Sequence, residues 1–271
     1  MSGSAPVGVV VAGAAGRMGR MLVSLAKANP ALRLAGALEA PGHPALGTDA
    51  GRVAGLGDVG VPLAADMPPA PPGTVLIDFT APGPTLDHVR AAAERGWGAV
   101  VGTTGFDRDQ ERAVDALGDR IPLLRAANMS VGVTVLLDVA REVAARLGDS
   151  FDVEISEIHH RLKKDSPSGT ALALGRAVAA GRGVVLEERA VYGREGLVGE
   201  RPAGEIGVMA LRGGDVIGDH TVHFFGTGER IELTHRAQSR EAFAAGALRA
   251  AAWLSGRAPG RYTMRDVLSE A

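Results

Sequence analysis

At 271 residues the chain is long enough for two packed domains or one large one, and its 46% hydrophobic and 22% charged content is that of a globular protein. A net charge of −2 removes any global electrostatic case for nucleic acid or an anionic membrane surface as partner. Cysteine is absent, which excludes disulfides, cysteine metal ligands and thiolate nucleophiles and suits a reducing compartment.

Val7–Ala12 reads as a buried strand, Arg17–Ala28 as a helix and Leu32–Leu38 as a second strand. The Gly-, Pro- and Ala-rich stretch 40–73 offers at most one short element, and its run Pro68-Pro69-Ala70-Pro71-Pro72 is a surface connection. Strands follow at 75–79, 99–101 and 121–125, with helices near 85–95 and from Asp107 to about Leu117. Such alternation implies βαβ units and a mainly parallel sheet. From Val131 the pattern changes. Val131–Leu147 is a long amphipathic helix, and residues 151–155 alternate apolar and polar, the mark of a strand with one buried face. The alternation breaks at Glu157-Ile158, so the strand is expected to end there. Residues 207–212, 220–225 and 230–236 also alternate, which implies an open sheet, mostly antiparallel or mixed, and 241–255 is a final helix. The fold class is α/β. A parallel-sheet domain spans 1–128, completed by 241–271, and an α+β domain with an open mixed sheet spans 129–240.

The segment Gly13-Ala14-Ala15-Gly16-Arg17-Met18-Gly19 follows the first strand and opens a helix. Glycines there permit a tight turn and close backbone approach, and the helix start presents N–H groups and a positive dipole end to a pyrophosphate. The spacing is G-x-x-G-x-x-G and not the commoner G-x-G-x-x-G. Glu39 ends the second strand 26 residues after Gly13, near the place of an acid that hydrogen-bonds ribose hydroxyls. Two further strand ends, Gly102-Thr103-Thr104 and Ala126-Ala127-Asn128-Met129, fall where ligands bind in open α/β sheets. Each taken singly reads equally as a plain loop, and Met129 alone reads more readily as core.

The chain carries 26 arginines and only three lysines, and two of the three, Lys163 and Lys164, lie just after the pair His159-His160. Arginine is effectively never deprotonated, whereas lysine gives up a proton when its pKa is lowered, so this segment suits a transferable proton. Pro167 turns Ser166 away from helical geometry, which makes the segment a loop. Ser168-Gly169-Thr170 then enters an apolar helical pattern, a capped helix start suited to an anion such as a carboxylate.

Glu157-Ile158-His159-His160-Arg161-Leu162-Lys163-Lys164-Asp165-Ser166-Pro167-Ser168-Gly169-Thr170-Ala171 resembles the signature E-x-H-H-x-x-K-x-D-x-P-S-G-T-A of the 4-hydroxy-tetrahydrodipicolinate reductase (dihydrodipicolinate reductase) family. The resemblance extends in order through the glycine loop, Ile77-Asp78-Phe79-Thr80, Val101-Gly102-Thr103-Thr104-Gly105, Asn128-Met129-Ser130-Val131-Gly132, Gly218-Asp219-His220-Thr221 and Trp253-Leu254-Ser255-Gly256. It implies a Rossmann-like dinucleotide domain, a mixed-sheet domain for substrate binding and tetramerisation, and reduction of a cyclic imine dicarboxylate with NADH or NADPH in lysine and diaminopimelate biosynthesis. By the same resemblance, His159 and Lys163 are the acid–base residues. Gly13, Ala14, Ala15, Gly16, Arg17, Met18, Glu39, Gly102, Thr103, Thr104, Ala126, Ala127, Asn128 and Met129 line the cofactor site. His160, Lys163, Ser168, Gly169, Thr170 and Arg240 hold the substrate. One departure bears on cofactor choice: many relatives carry a basic residue directly after the acid, where this chain has Ala40 and Pro41 after Glu39. That leans toward NADH being used at least as well as NADPH, with Arg17 left to meet a 2′-phosphate.

A dinucleotide sensor without catalysis and a subunit-assembly protein are the competing classes; neither needs a proton donor at His159 and Lys163. The remaining histidines show no metal-ligand spacing, so no metal is expected. No apolar run reaches the ~20 residues of a membrane span, and Val7–Ala15 lacks the preceding positive charge of a signal peptide. The expected location is cytoplasmic, and the expected assembly a homotetramer with a small-molecule substrate.

Overall fold

The computed structural model describes residues 5–269. In chain order the first part contains β1 (Val7–Ala12), α1 (Arg17–Ala28), β2 (Leu32–Leu38), α2 (Ala50–Val53), β3 (Leu63–Ala64), β4 (Val75–Asp78), α3 (Pro82–Glu94), β5 (Gly98–Val101), α4 (Arg108–Ala116) and β6 (Pro122–Arg125). Then come α5 (Val131–Leu147), β7 (Asp152–His159), α6 (Gly169–Gly181), α7 (Leu186–Arg189), β8 (Ala190–Val191), β9 (Ile206–Arg212), β10 (Gly218–Gly226) and β11 (Glu229–Ala237). The chain ends with α8 (Glu241–Leu254), β12 (Gly260–Tyr262) and α9 (Met264–Ser269). Contacts divide it into two compact units, one running to Val131 and resuming at Glu241, the other Gly132–Arg240.

The first unit is built on one sheet of order β12-β6-β5-β4-β1-β2-β3, parallel at every pairing. Val9, Val10 and Val11 are fully buried because β1 is central and covered on both faces. Alternate residues serve opposite faces. Val9, Val11, Val75, Ile77 and Val100 pack against Leu22 and Val23 of α1 and Ala244, Ala247 and Leu248 of α8. Val10, Leu76, Ala99 and Val101 pack with Val89 and Ala92 of α3, Val114 of α4 and the fully buried Trp97. The buried positions of α8 recur at helical spacing, and Gly246 lets the helix approach a backbone oxygen: a Cβ there would stand 1.8 Å from Met129 O.

Strand order reverses around β1, between β4 and β2, so the carboxyl ends of β1, β2, β4, β5 and β6 lie along one edge, where open parallel sheets bind ligands. Two expectations change. The stretch 40–73 holds both α2 and β3, organised by one carboxylate: Asp49 accepts from the N–H groups of Gly51, Arg52, Val59, Gly60 and Val61. The helix at 241 is not the last element, because β12 adds a parallel edge strand beside β6 and α9 follows.

The second unit is a mixed sheet of order β11-β10-β7-β9-β8, antiparallel at β11/β10 and β10/β7 and parallel at β7/β9 and β9/β8. Its inner face, Val153, Ile155, Ile206, Val208, Val222 and Phe224, packs under Leu136 and Ala140 of α5 and Leu174 and Val178 of α6. The expected end of β7 near Glu157 is wrong. The strand runs on to His159, because Glu157 and His159 take the inward positions that Val153 and Ile155 hold earlier.

Candidate active site

Each strand end of the first unit contributes something different. Gly13 has φ +66, a left-handed conformation that glycine adopts without penalty. Gly19 lies against the same loop, where a Cβ would stand 2.1 Å from Gly13 O and 2.6 Å from Ala14 Cα. The turn is thereby pressed onto the first turn of α1. Glu39 reaches across to it, accepting from Ala15 N–H at 3.0 Å and from its neighbour Ala40 at 2.9 Å. Arg17 is exposed, Ala14 and Ala15 are buried, and Met18 packs on the core.

The β5 end is held from below. Asp78 is fully buried and accepts from Thr80 N–H (2.8 Å), Thr80 Oγ1 (2.7 Å) and Thr85 Oγ1 (2.9 Å), with His88 Nδ1 at 2.7 Å. Burial pushes this carboxyl up, but the bonds from His88 and Thr80 outweigh it and hold it below the ordinary range. Thr103 joins the group at 2.8 Å from Thr85 Oγ1, and Gly102 lies against the Phe79 ring. Thr104 is exposed. At the β6 end Asn128 Oδ1 accepts from Ser130 N–H at 2.8 Å, and Met129 is buried in the core, 1% exposed.

In the second unit the segment after β7 wraps around a buried carboxylate. Glu157 is fully buried, and its two oxygens meet Arg212 at 2.9 and 3.0 Å, His159 Nδ1 at 2.5 Å and Ser168 N–H at 3.0 Å. The parallel register explains the pairing, since His159 lies beside Arg212 across β7 and β9. Burial raises the Glu157 pKa, yet Arg212, His159 and Ser168 together hold it below normal. His159 is moved down, first by burial, against an opposing pull from Glu157. Its ring meets His220 edge-on, with centroids 5.1 Å apart. His220 Nε2 is 3.1 Å from Ser168 Oγ, which also caps α6 by accepting from Ala171 N–H.

After His159 the chain turns sharply. His160 N–H donates to Val216 O and Lys163 N–H to His160 O. The Lys163 ammonium lies 2.9 Å from Asp165, and Arg212 donates to Asp165 O at 2.6 Å. The Ser166–Pro167 bond is cis. Ser168 is buried and committed within the protein, whereas Gly169 is exposed and Thr170 half-buried at the start of α6. Arg240 lies three residues beyond β11, outside this bonded cluster.

Burial and the neighbouring His159 push His220 down to about 4. An unfolded histidine titrates near ~6.5, so between those values the unfolded chain binds more protons than the folded one. Stability is therefore expected to fall as pH drops from about 6.5 toward 4, by on the order of 3 kcal/mol from this residue. Urea midpoints across that range should show a shallower fall in His220→Gln. An unchanged slope would remove His220 as the cause.

Comparison with known proteins decides the family. The family model "Dihydrodipicolinate reductase, N-terminus" matches residues 7–129, and "Dihydrodipicolinate reductase, C-terminus" matches 132–268. The chain belongs to the dihydrodipicolinate reductase family. It is 50% identical over 261 residues to 4-hydroxy-tetrahydrodipicolinate reductase of Anaeromyxobacter dehalogenans, covering 96% of this chain and 97% of that one. It is 51% identical over 263 residues to the same enzyme of Rubrobacter xylanophilus, covering 97% and 98%. Among solved structures it resembles a dipicolinate-bound dihydrodipicolinate reductase from a Paenisporosarcina species, with TM-score 0.71, 22% identity and coverage of 95% and 97%.

For a member of the dihydrodipicolinate reductase family, the residues that sequence reasoning left without a role are as informative as those it named. Glu157 stood in the signature with no task. Arg212 carried no signal until the β-pairing set it beside His159, and Gly218 stood in a matched motif with no task. His220 belonged to a matched motif without a role, in an alternating run whose inward positions include Val222 and Phe224.

Proposed function

We infer that the chain reduces 4-hydroxy-tetrahydrodipicolinate to tetrahydrodipicolinate with NADH or NADPH, in lysine and diaminopimelate biosynthesis. The observation that carries this reading is the His159–Glu157–Arg212 cluster beside the start of α6, in a chain that matches reductases of that name over 96% and 97% of its length. The net change adds one hydride and one proton and releases the ring hydroxyl as water. A bound reduced nicotinamide supplies the hydride. The first unit suits a dinucleotide, because the left-handed Gly13 turns the loop after β1 and Gly19 lets it press onto the N-terminal turn of α1, whose N–H groups suit a pyrophosphate. In our reading, Gly13 to Met18, Glu39, Gly102 to Thr104 and Ala126 to Met129 provide it, Met129 through its backbone.

Negative charge develops along the ring imine system as hydride arrives, and His159 or Lys163 delivers the compensating proton there. A dianionic substrate needs donors at both carboxylates. We assign these to His160, Lys163, Arg240 and the N–H groups of Gly169 and Thr170, with Ser168 shaping the helix start from within. His160 Nδ1 is buried and has no hydrogen-bond partner. The outward face of the second sheet carries Leu211, Phe225 and, in register with Leu211, Ile158; we propose it as the surface of a homotetramer, checked by mass in solution. No helix among the described residues is long and apolar enough to cross a membrane, and we propose a cytoplasmic location.

The test is oxidation of NADH and NADPH, in parallel, with freshly generated synthase product. Turnover with either supports the reading. Tight dinucleotide binding without turnover would favour the sensor class. Lys163→Ala is expected to depress turnover by about 10²-fold while dinucleotide affinity stays near normal.

A further inference from the structure

Resting on the reductase reading, we propose that Glu157 is the positioning residue of the acid–base centre: it selects the imidazole tautomer of His159 and so makes Nε2 the atom that exchanges the proton. An ionised carboxylate only accepts hydrogen bonds, and Glu157 Oε2 lies 2.5 Å from His159 Nδ1. The proton on that side therefore belongs to Nδ1, and the neutral ring keeps its lone pair at Nε2. The opposite side of the ring is kept clear. Gly218 faces Nε2, and a Cβ at that position would stand only 2.9 Å from it.

The same carboxylate joins three segments. One oxygen takes Ser168 N–H at the start of α6, and both take Arg212 at the end of β9. The residue that orients the proton carrier thus also anchors the helix start assigned to the substrate carboxylate. Burial is the largest influence on the proton affinity of His159, and three charged groups act beside it. Glu157 on its own strand favours the charged ring. Lys163 from the following loop and Arg212 from β9 stand against it, while His220 from β10 meets the ring edge-on. Arg212 shares the Glu157 charge, so the carboxylate orients the ring without trapping a proton on it.

Glu157→Gln tests the proposal. Turnover is expected to fall about 10- to 100-fold. The pH limb of kcat that reports His159 should move toward lower pH by about one unit, because the group favouring the charged ring is gone. Glu157→Asp, which keeps the charge, should restore part of the rate and return the limb toward its original place. A rate loss with the limb unmoved would mean a structural role alone and overturn the proposal. Nitrogen NMR of histidine-labelled wild-type protein at neutral pH gives a reading that does not depend on the variants folding: the proposal requires protonated Nδ1 and unprotonated Nε2 at His159, and the reverse tautomer overturns it. Failure of the wild type to turn over the substrate would instead strike the reductase reading, with the tautomer result standing by itself.

Discussion

Replacing His159 by Gln is expected to lower kcat by about 10²- to 10⁴-fold, the range for loss of a placed acid–base group. Gln preserves much of the size and polarity of the imidazole but carries no exchangeable proton near neutrality. Glu157 and His220 hold the ring on one side and at its edge, and neither can deliver the proton in its place. Burial holds the His159 pKa below its ordinary value in the free protein. A dianionic substrate raises it again, so the wild-type profile of kcat/KM should fall as pH rises through the free-protein value, and that limb should vanish in His159→Gln. Dinucleotide affinity is expected to stay near normal, since the glycine loop belongs to the other compact unit. Near-normal turnover, or loss of dinucleotide binding, would refute the assignment.

Gly19→Ala should act in the opposite sense, on the dinucleotide and not on the chemistry. The added methyl meets backbone on every near side: Gly13 O at 2.1 Å, Ala14 Cα at 2.6 Å and Gly13 C at 2.8 Å. No side chain can swing away, so the loop and the first turn of α1 must separate. Overpacking of this kind costs about 1–3 kcal/mol of stability, against up to about 1 kcal/mol regained from the helix propensity of Ala. Because the cradle itself is displaced, NADH and NADPH dissociation constants should both rise by at least about tenfold, a change of 1.4 kcal/mol. Fluorescence titration of the dinucleotide reads this directly. Unchanged affinity with the fold intact would show that the pyrophosphate does not rest on this loop.

Much of the first unit was legible because its signals are local. The run Val9-Val10-Val11 announces a strand buried on both faces, and β1, α1, β2 and α5 have the bounds expected from periodicity. The segment 157–171 was legible as a motif and as an anomaly, since two of three lysines fall within it. What escaped depends on partners distant in sequence. Asp49 looks like any loop aspartate until five N–H groups converge on it. Glu157 broke an alternation that only the register with β9 restores, by bringing Arg212 to neutralise it. Strand β12 is three residues long and apolar only at Tyr262, so nothing but its pairing with β6 defines it.

The return of the chain to its first unit sets an order on biosynthesis. A ribosome that has released residues as far as Arg240 has made every strand of the mixed sheet, but not α8 or β12. The face formed by Val9, Val11, Val75, Ile77 and Val100 still lacks its α8 cover, and β6 is still an open edge. Nascent chains therefore carry a risk of sticking to one another until α8 and β12 have been made. A stop codon placed after Arg240 would make that interval permanent.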